Sequence, residues 1–347
     1  MESEDLFELV NKKNRPAQTA WRNRILRPLN LLWLFVPVLL WWALRRVPFR
    51  DILLSIQHLT AWQLAVLLMV NGLIFLMFGA RWWLIIQSFG KRVPLLAVTV
   101  YRLAGFGVSY FTPGPQLGGE ALQVRLLSRK HAIPVQQAIS SVFLDKIIEL
   151  LSNFTFLVLG IMTILASNIL HGWLQAWMWP LIAAILAFPA VHLAALWQGR
   201  QPLTRLFYRL WHRWPENRFL EKVYSLVGQA EQQIRFLCRE QSRTLLIAIV
   251  LSGLAWVVLV GEYILLVRFL GLRLSLAQTV IALTLARIAF LIPLPGGLGA
   301  LEASQVLAMQ AFGFDPAMGI TISLVIRARD ILSGGLGLAL GGWYARQ

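Results

Sequence analysis

PGPQLGGEALQV, from Pro113 to Val124, and PGGLGALEASQV, from Pro295 to Val306, are written on one template. Aligning Glu120 on Glu302 superimposes Pro113-Gly114 on Pro295-Gly296 without a gap. The register continues, because Pro134 and Pro316 each stand 14 residues beyond the glutamate. An apolar helix then opens around Ser141 and Ser323, carrying Asp145 and Lys146 in one copy and Arg327, Arg329 and Asp330 in the other. A Pro/Gly-broken segment with one carboxylate, repeated in both halves of an apolar chain, is the sequence pattern of discontinuous helices at a membrane binding site.

Composition puts the chain in the bilayer. Of its 347 residues 58% are hydrophobic and only 14% charged, and the mean hydropathy is +0.65, whereas soluble domains carry about 25% charged residues. A single membrane domain over 28–347 is expected, preceded by a polar cytoplasmic segment at 1–27. The 32 basic residues against 16 acidic ones cluster in loops beside apolar runs. There they set orientation and meet anionic headgroups, so nucleic acid is not an expected partner. Cys238 has no second cysteine to pair with and reads as an incidental thiol. The first apolar run, Leu29 to Leu44, lacks a small-residue cleavage site and is expected to be retained. His58, His131, His171, His192 and His212 form no ligand-spaced cluster, and no G-x-S-x-G or H-E-x-x-H pattern occurs. Neither an enzyme nor a bound metal or cofactor is therefore predicted.

A spanning helix takes about 20 apolar residues. The candidates are 28–45, 62–88, 135–165, 173–197, 244–270 and 316–343. The shorter pairs 95–111 with 116–130 and 275–292 with 298–312 read as the arms of two hairpins that dip into the membrane and return. The expected fold is an all-α polytopic membrane protein with about six to eight spanning helices and two re-entrant hairpins. Loop charges place both termini on the cytoplasmic side, with Arg81, Lys91 and Arg92 on the inner side and only Arg45, Arg46 and Arg50 against the pattern. An odd number of spans between the repeats at 93–165 and 275–343 makes them inverted. Between Gly199 and Arg243 an apolar stripe alternates with Arg205, Arg209 and Arg213, as in a basic amphipathic cytoplasmic loop at the headgroup level. Tryptophans such as Trp62, Trp82 and Trp83 read as interfacial anchors.

Twelve charges lie within apolar segments: Arg102, Glu120, Arg125, Asp145, Lys146, Glu149, Glu262, Arg287, Glu302, Arg327, Arg329 and Asp330. Each costs ~2.5–3.5 kcal/mol at a helix centre, so each is expected to face inward, pair or act. Glu149 is spaced to pair with Lys146, Glu262 and Arg268 read as interfacial, and Arg329 and Asp330 as pairing across the repeats. At the two breaks Gly114, Gly118, Gly119, Gly296, Gly297 and Gly299 permit a non-helical backbone. The helix starts that follow present free amides to an anion. Glu120, Asp145, Arg287, Glu302 and Arg327 are the predicted substrate-binding residues, and Pro113, Gly114, Gly119, Pro295, Gly296, Gly297 and Gly299 the structural motif. With Arg287, Arg327, Arg125 and Lys146 nearby in the repeat frame, the pocket is expected to be net cationic and to suit a lipid phosphate.

GGEALQVRLL followed by SVFLDKI, and PGGLGALE followed by a helix bearing Arg327, resemble the flippase-like membrane region of lysylphosphatidylglycerol synthases, which also occurs as stand-alone membrane proteins of the UPF0104 type. The resemblance covers about 90–340 and implies a multi-pass inner-membrane protein that binds or translocates a phospholipid or polyprenyl-linked lipid. By position it carries over to Pro295, Gly296, Gly297, Gly299 and Glu302, and to Gly119, Glu120, Asp145 and Arg327. Where the family commonly has an Arg three residues after the first glutamate, this chain has Gln123, with Arg125 on another helix face. With the chain ending at Gln347, no soluble aminoacyl-transferase domain is expected. A lipid carrier is thus the leading expectation. A lipid-modifying membrane enzyme, or an accessory partner of one docking through 199–243, is the alternative, and oligomeric state is left open.

Overall fold

The chain divides into two compact units, Met1–Val47 and Pro48–Gln347. The computed structural model describes residues 59–112, 118–167, 242–292 and 294–346 together with parts of 191–241, all in the second unit. The expected segment 1–27, the span at 28–45, most of the span at 173–197, Pro113, Gly114 and Cys238 lie outside the described residues.

Among the described residues every regular element is helical. In chain order these are α1 (Ala61–Ser88), α2 (Leu95–Phe111), α3 (Gly119–His131), α4 (Val135–Ala166), α5 (Pro202–Arg213), α6 (Ser242–Phe269), α7 (Leu276–Leu291), α8 (Ala300–Ala311) and α9 (Pro316–Arg346). Three of them, α1, α4 and α6, are long and apolar enough to cross a bilayer. The 31 residues of α9 are long enough as well, although Arg327, Arg329 and Asp330 interrupt its apolar run. By contrast α3 and α8 have 13 and 12 residues, too few to cross alone, and each packs on the helix before it. Exposed Met69, Leu73, Leu246, Leu254, Leu307 and Leu336 give the bundle the apolar exterior that hydrocarbon requires.

The sequence dictates where these helices begin and end. Thr112 and Ile292, each followed by a proline, are extended (ψ 144° and 130°), because the proline ring excludes the helical conformation from the residue before it. The α7 start is fixed by a reciprocal cap: the Ser275 hydroxyl accepts the Gln278 amide at 3.2 Å while the Gln278 side chain accepts the Ser275 amide at 2.9 Å. Pro134 and Pro316 open α4 and α9, where a missing amide proton is harmless.

Packing follows the repeat. Within each half the first helix contacts the second, the second the third and the third the fourth, as α1–α2–α3–α4 and α6–α7–α8–α9. Across the halves α1 meets α6, α2 meets α9 and α4 meets α7, the exchange of partners that a two-fold relation produces. The α2–α9 seam is built on small residues. A Cβ at Gly337 would run into the Leu103 carbonyl, and one at Gly341 into the Ala104 side chain. Close backbone approach is how helices associate where burial from water contributes nothing. A broad apolar core of Ile74, Leu259, Leu283, Leu301, Met309 and Ile326 joins α1, α6, α7, α8 and α9.

The basic segment is described only in part. No described residue of α5 is buried, and Trp211 stacks on Tyr224 with centroids 5.8 Å apart. Buried Glu231 accepts the Leu203 amide, the Thr204 amide and the Thr204 hydroxyl at 3.1, 2.9 and 2.6 Å, which tethers the α5 start to the chain that follows.

Candidate functional site: a charged cavity between the repeats

Both breaks are true helix interruptions. Gly118 has φ 140°, and Gly296, Gly297 and Gly299 have φ 55°, 61° and 79°, a region costly for any residue with a Cβ. Gly119 is required for a different reason: a Cβ there would collide with the Gly105 carbonyl of α2. The two glutamates do the same local job. Glu120 Oε2 accepts the Gly118 amide at 2.8 Å, and Glu302 Oε2 accepts the Gly299 amide at 2.9 Å. Each carboxylate thereby caps a helix start whose first amides lack partners and whose dipole favours negative charge.

The remaining oxygen of each glutamate ties the break to the long helix of its own repeat. Glu302 Oε1 accepts Arg327 Nε at 2.9 Å and also pairs with Arg327 Nη2, while Arg327 Nη1 donates to the Gly296 carbonyl at 3.2 Å. Arg327, its side chain 1% exposed, is thus fully engaged in holding the second break. Glu120 Oε1 takes Lys146 Nζ at 3.0 Å.

Here the halves part company. Arg327 stands 25 residues after Glu302, and the residue at the same position in the first repeat is Asp145. Asp145 accepts Arg81 Nε at 2.7 Å and Arg102 Nη1. Arg81 also donates to Ser252 Oγ at 3.1 Å, Arg102 to Glu149, and Glu149 pairs with Lys146 at 3.1 Å, as its spacing predicts. In the second repeat the positions of Arg81 and Arg102 are taken by Tyr263 and Thr284. Tyr263 instead donates to the Gln305 side chain at 2.6 Å. The first repeat therefore has two arginines at positions where the second has neutral side chains.

A second cluster faces the first. Arg329 pairs with Glu262 at 2.8 Å and with Asp330 at 2.8 Å. Arg287 makes no carboxylate ion pair among the described residues, and its guanidinium lies 4.9 Å from the Trp256 ring centroid.

Between these clusters lies a cavity of about 1170 Å³, including its open mouth. Seven helices contribute its nine ionisable lining residues: cationic Arg81, Arg102, Lys146, Arg287 and Arg329, and anionic Glu120, Glu149, Glu262 and Asp330. Of the predicted site residues, Glu120 and Arg287 line the cavity, and Asp145 sits behind it, holding Arg81 and Arg102. Glu302 and Arg327 form a separate pair off the lining, so the five are not gathered into one site. Gly119, Gly296, Gly297 and Gly299 shape the backbone around it, and Pro295 begins the turn Pro295–Gly297.

Three residues stand apart from their sequence reading. Arg81, assigned to a cytoplasmic cluster, is buried within α1 because Asp145 and Ser252 satisfy it. Trp82, read as an interfacial anchor, is also buried and donates to Ser141 at 3.2 Å. Glu262, read as interfacial, is 3% exposed and paired with Arg329, which therefore bonds within its own half of the chain rather than across the repeats. The available signal was position: Arg81 and Glu262 lie inside long apolar runs rather than at their ends.

The sequence family described as the lysylphosphatidylglycerol synthase transmembrane region matches residues 31–336. The chain belongs to this family. It is 24% identical over 272 residues to a UPF0104 membrane protein of Methanothermobacter thermautotrophicus, covering 74% of this chain and 77% of that one. It is 22% identical over 264 residues to a UPF0104 membrane protein of Methanocaldococcus jannaschii, covering 74% and 76%. No solved structure matches. Family membership extends over both Pro/Gly breaks and all nine charged residues of the cavity.

Proposed function

We propose that this protein carries an anionic lipid, a phospholipid or a polyprenyl-linked lipid, between leaflets by lodging its headgroup in the charged cavity. The observation that supports it most is Arg287, a guanidinium in a polar cavity between apolar helices with no carboxylate ion pair among the described residues. The other cations there are matched by Glu120, Asp145, Glu149, Glu262 and Asp330, so an arriving phosphate would find Arg287 free to bind it bidentately. Nine ionisable groups are also a heavy load for a bilayer protein, at ~2.5–3.5 kcal/mol each on insertion scales. A water-filled headgroup path justifies that load.

On this reading the two broken repeats are inverted and rock about the cavity, and the pattern of contacts between the halves is compatible with such a relation. Loop charges favour both termini on the cytoplasmic side, and the family resemblance favours the cytoplasmic membrane. Membrane lipid is the partner, and the lipid leaves unchanged. The test is transbilayer movement of labelled phosphatidylglycerol, with phosphatidylcholine as comparator, in vesicles with and without the purified protein. Faster movement of the anionic lipid is expected, reduced in Arg287→Gln. No acceleration, or chemical conversion of the lipid, contradicts the reading.

A further inference from the structure

A second hollow of about 1000 Å³, including its open mouth, adjoins the charged cavity, and the two share Leu259, Glu262, Arg287, Phe290 and Arg329 as lining. Apart from these its wall is almost wholly aliphatic, with Leu64, Leu67, Leu283, Val325 and Ile326 among its lining. It lies among α1, α6, α7 and α9. Its rim carries Leu68 and Leu332, 46% and 52% exposed, so the cleft opens on the apolar exterior of the bundle. The partition between the hollows is chemical: the Glu262–Arg329 pair at 2.8 Å and Arg287 over Trp256.

We infer that this cleft is a lateral doorway from the bilayer, occupied by the acyl chain of the lipid whose phosphate rests on Arg287. The inference depends on the headgroup reading above and adds the path of the tail. A polar chamber and an aliphatic cleft meeting at Arg287, beside the paired Arg329, have the polarity pattern of an amphiphile. A chain lying in the cleft stays in hydrocarbon-like surroundings while the headgroup passes Arg287, so the tail is never exposed to the charged chamber. A neutral lipid lacks the charge that Arg287 would bind, and a soluble anion lacks the tail that fills the cleft. Arg287 then acts as the threshold and Glu262 as the group that keeps Arg329 from competing with it.

The test uses the full-length protein in vesicles containing phosphatidylglycerol with a diazirine at the end of one acyl chain. Photolysis and peptide mapping then report where the tail lies. Cross-links concentrated severalfold at Leu64, Leu67 and Val325 over the exposed Leu246 and Leu254 support the doorway. Equal labelling of all exposed leucines overturns it, as does labelling confined to contacts between two copies of the chain. A parallel measurement of sn-glycero-3-phosphoglycerol binding separates the two proposals. Headgroup binding lost in Arg287→Gln together with uniform tail labelling rejects the doorway and leaves the headgroup site standing. Absence of both rejects the headgroup reading itself. The rim variant Leu332→Trp should reduce cleft labelling severalfold while leaving glycerophosphoglycerol binding unchanged, and unchanged labelling there also counts against the doorway.

Discussion

Asp145 is the residue on which the cavity wall turns. Its carboxylate is 1% exposed and accepts from two guanidiniums, those of Arg81 and Arg102. In Asp145→Asn the shape is retained but both cations lose their strongest acceptor. Removing one partner of a buried ion pair costs about 3–5 kcal/mol, because the surviving charge stays buried without compensation. Arg81 keeps Ser252, and Arg102 keeps Glu149, which places the expected loss near the low end, about 3 kcal/mol. The measurement is equilibrium unfolding in mixed micelles of sodium dodecyl sulfate and dodecylmaltoside, followed by tryptophan fluorescence. Arg268→Ala, exposed at the end of α6, serves as control and should move stability by no more than about 0.5 kcal/mol. A second arm tests the cause. In Asp145→Leu with Arg81→Met one of the two orphaned charges is gone, so the double variant should recover part of the loss that Asp145→Leu shows alone. Asp145→Asn no more destabilising than the control, or a double variant worse than the sum of its parts, would refute the electrostatic argument.

Further outcomes follow from the same geometry. Glu302→Gln and Arg327→Met should each destabilise the protein, and a double-mutant cycle in the same assay should return a coupling energy of about 1–3 kcal/mol; additivity would mean that the pair does not hold the second break. Gly337→Ala should cost about 1–3 kcal/mol, since its Cβ meets the Leu103 carbonyl across the α2–α9 seam. Gly335→Ala, with open space at the same point of α9, should instead be stabilising by about 0.5–1 kcal/mol. Glu231→Ala should speed limited proteolysis near Pro202, because the Leu203 and Thr204 amides lose the carboxylate that accepts them; unchanged cleavage would mean that the α5 start is held by something else.

What the sequence made legible was whatever depends on local chemistry. The two Pro/Gly breaks, the helix starts at Glu120 and Glu302 and the Glu149–Lys146 pair are all fixed within a few residues of chain, and the structure has them where the motif spacing puts them. Partner choice across the bundle was not legible. Asp145 and Arg327 occupy the same repeat position, and that equivalence suggested a common site. Yet Arg327 bonds to its own repeat, and Asp145 to Arg81 and Arg102, 64 and 43 residues away. Arg81 was grouped with Lys91 and Arg92 as a cytoplasmic basic cluster because basic clusters should fall on one side, whereas its burial depends on an acceptor in α4 that no pattern within α1 can reveal. Glu262 was placed at the interface because it lies near a span end, its partner Arg329 lying 67 residues further on. Periodicity finds faces of helices, and only tertiary packing determines which charged faces meet.

The most direct measurement of the central claim is native mass spectrometry of the protein released from membranes in mild detergent, wild type beside Arg287→Ala. The wild type should retain anionic lipid, and Arg287→Ala should lose it while unfolding at the same detergent composition. Identical retained lipids in both proteins, or retention of neutral lipids alone, would contradict a headgroup site at Arg287.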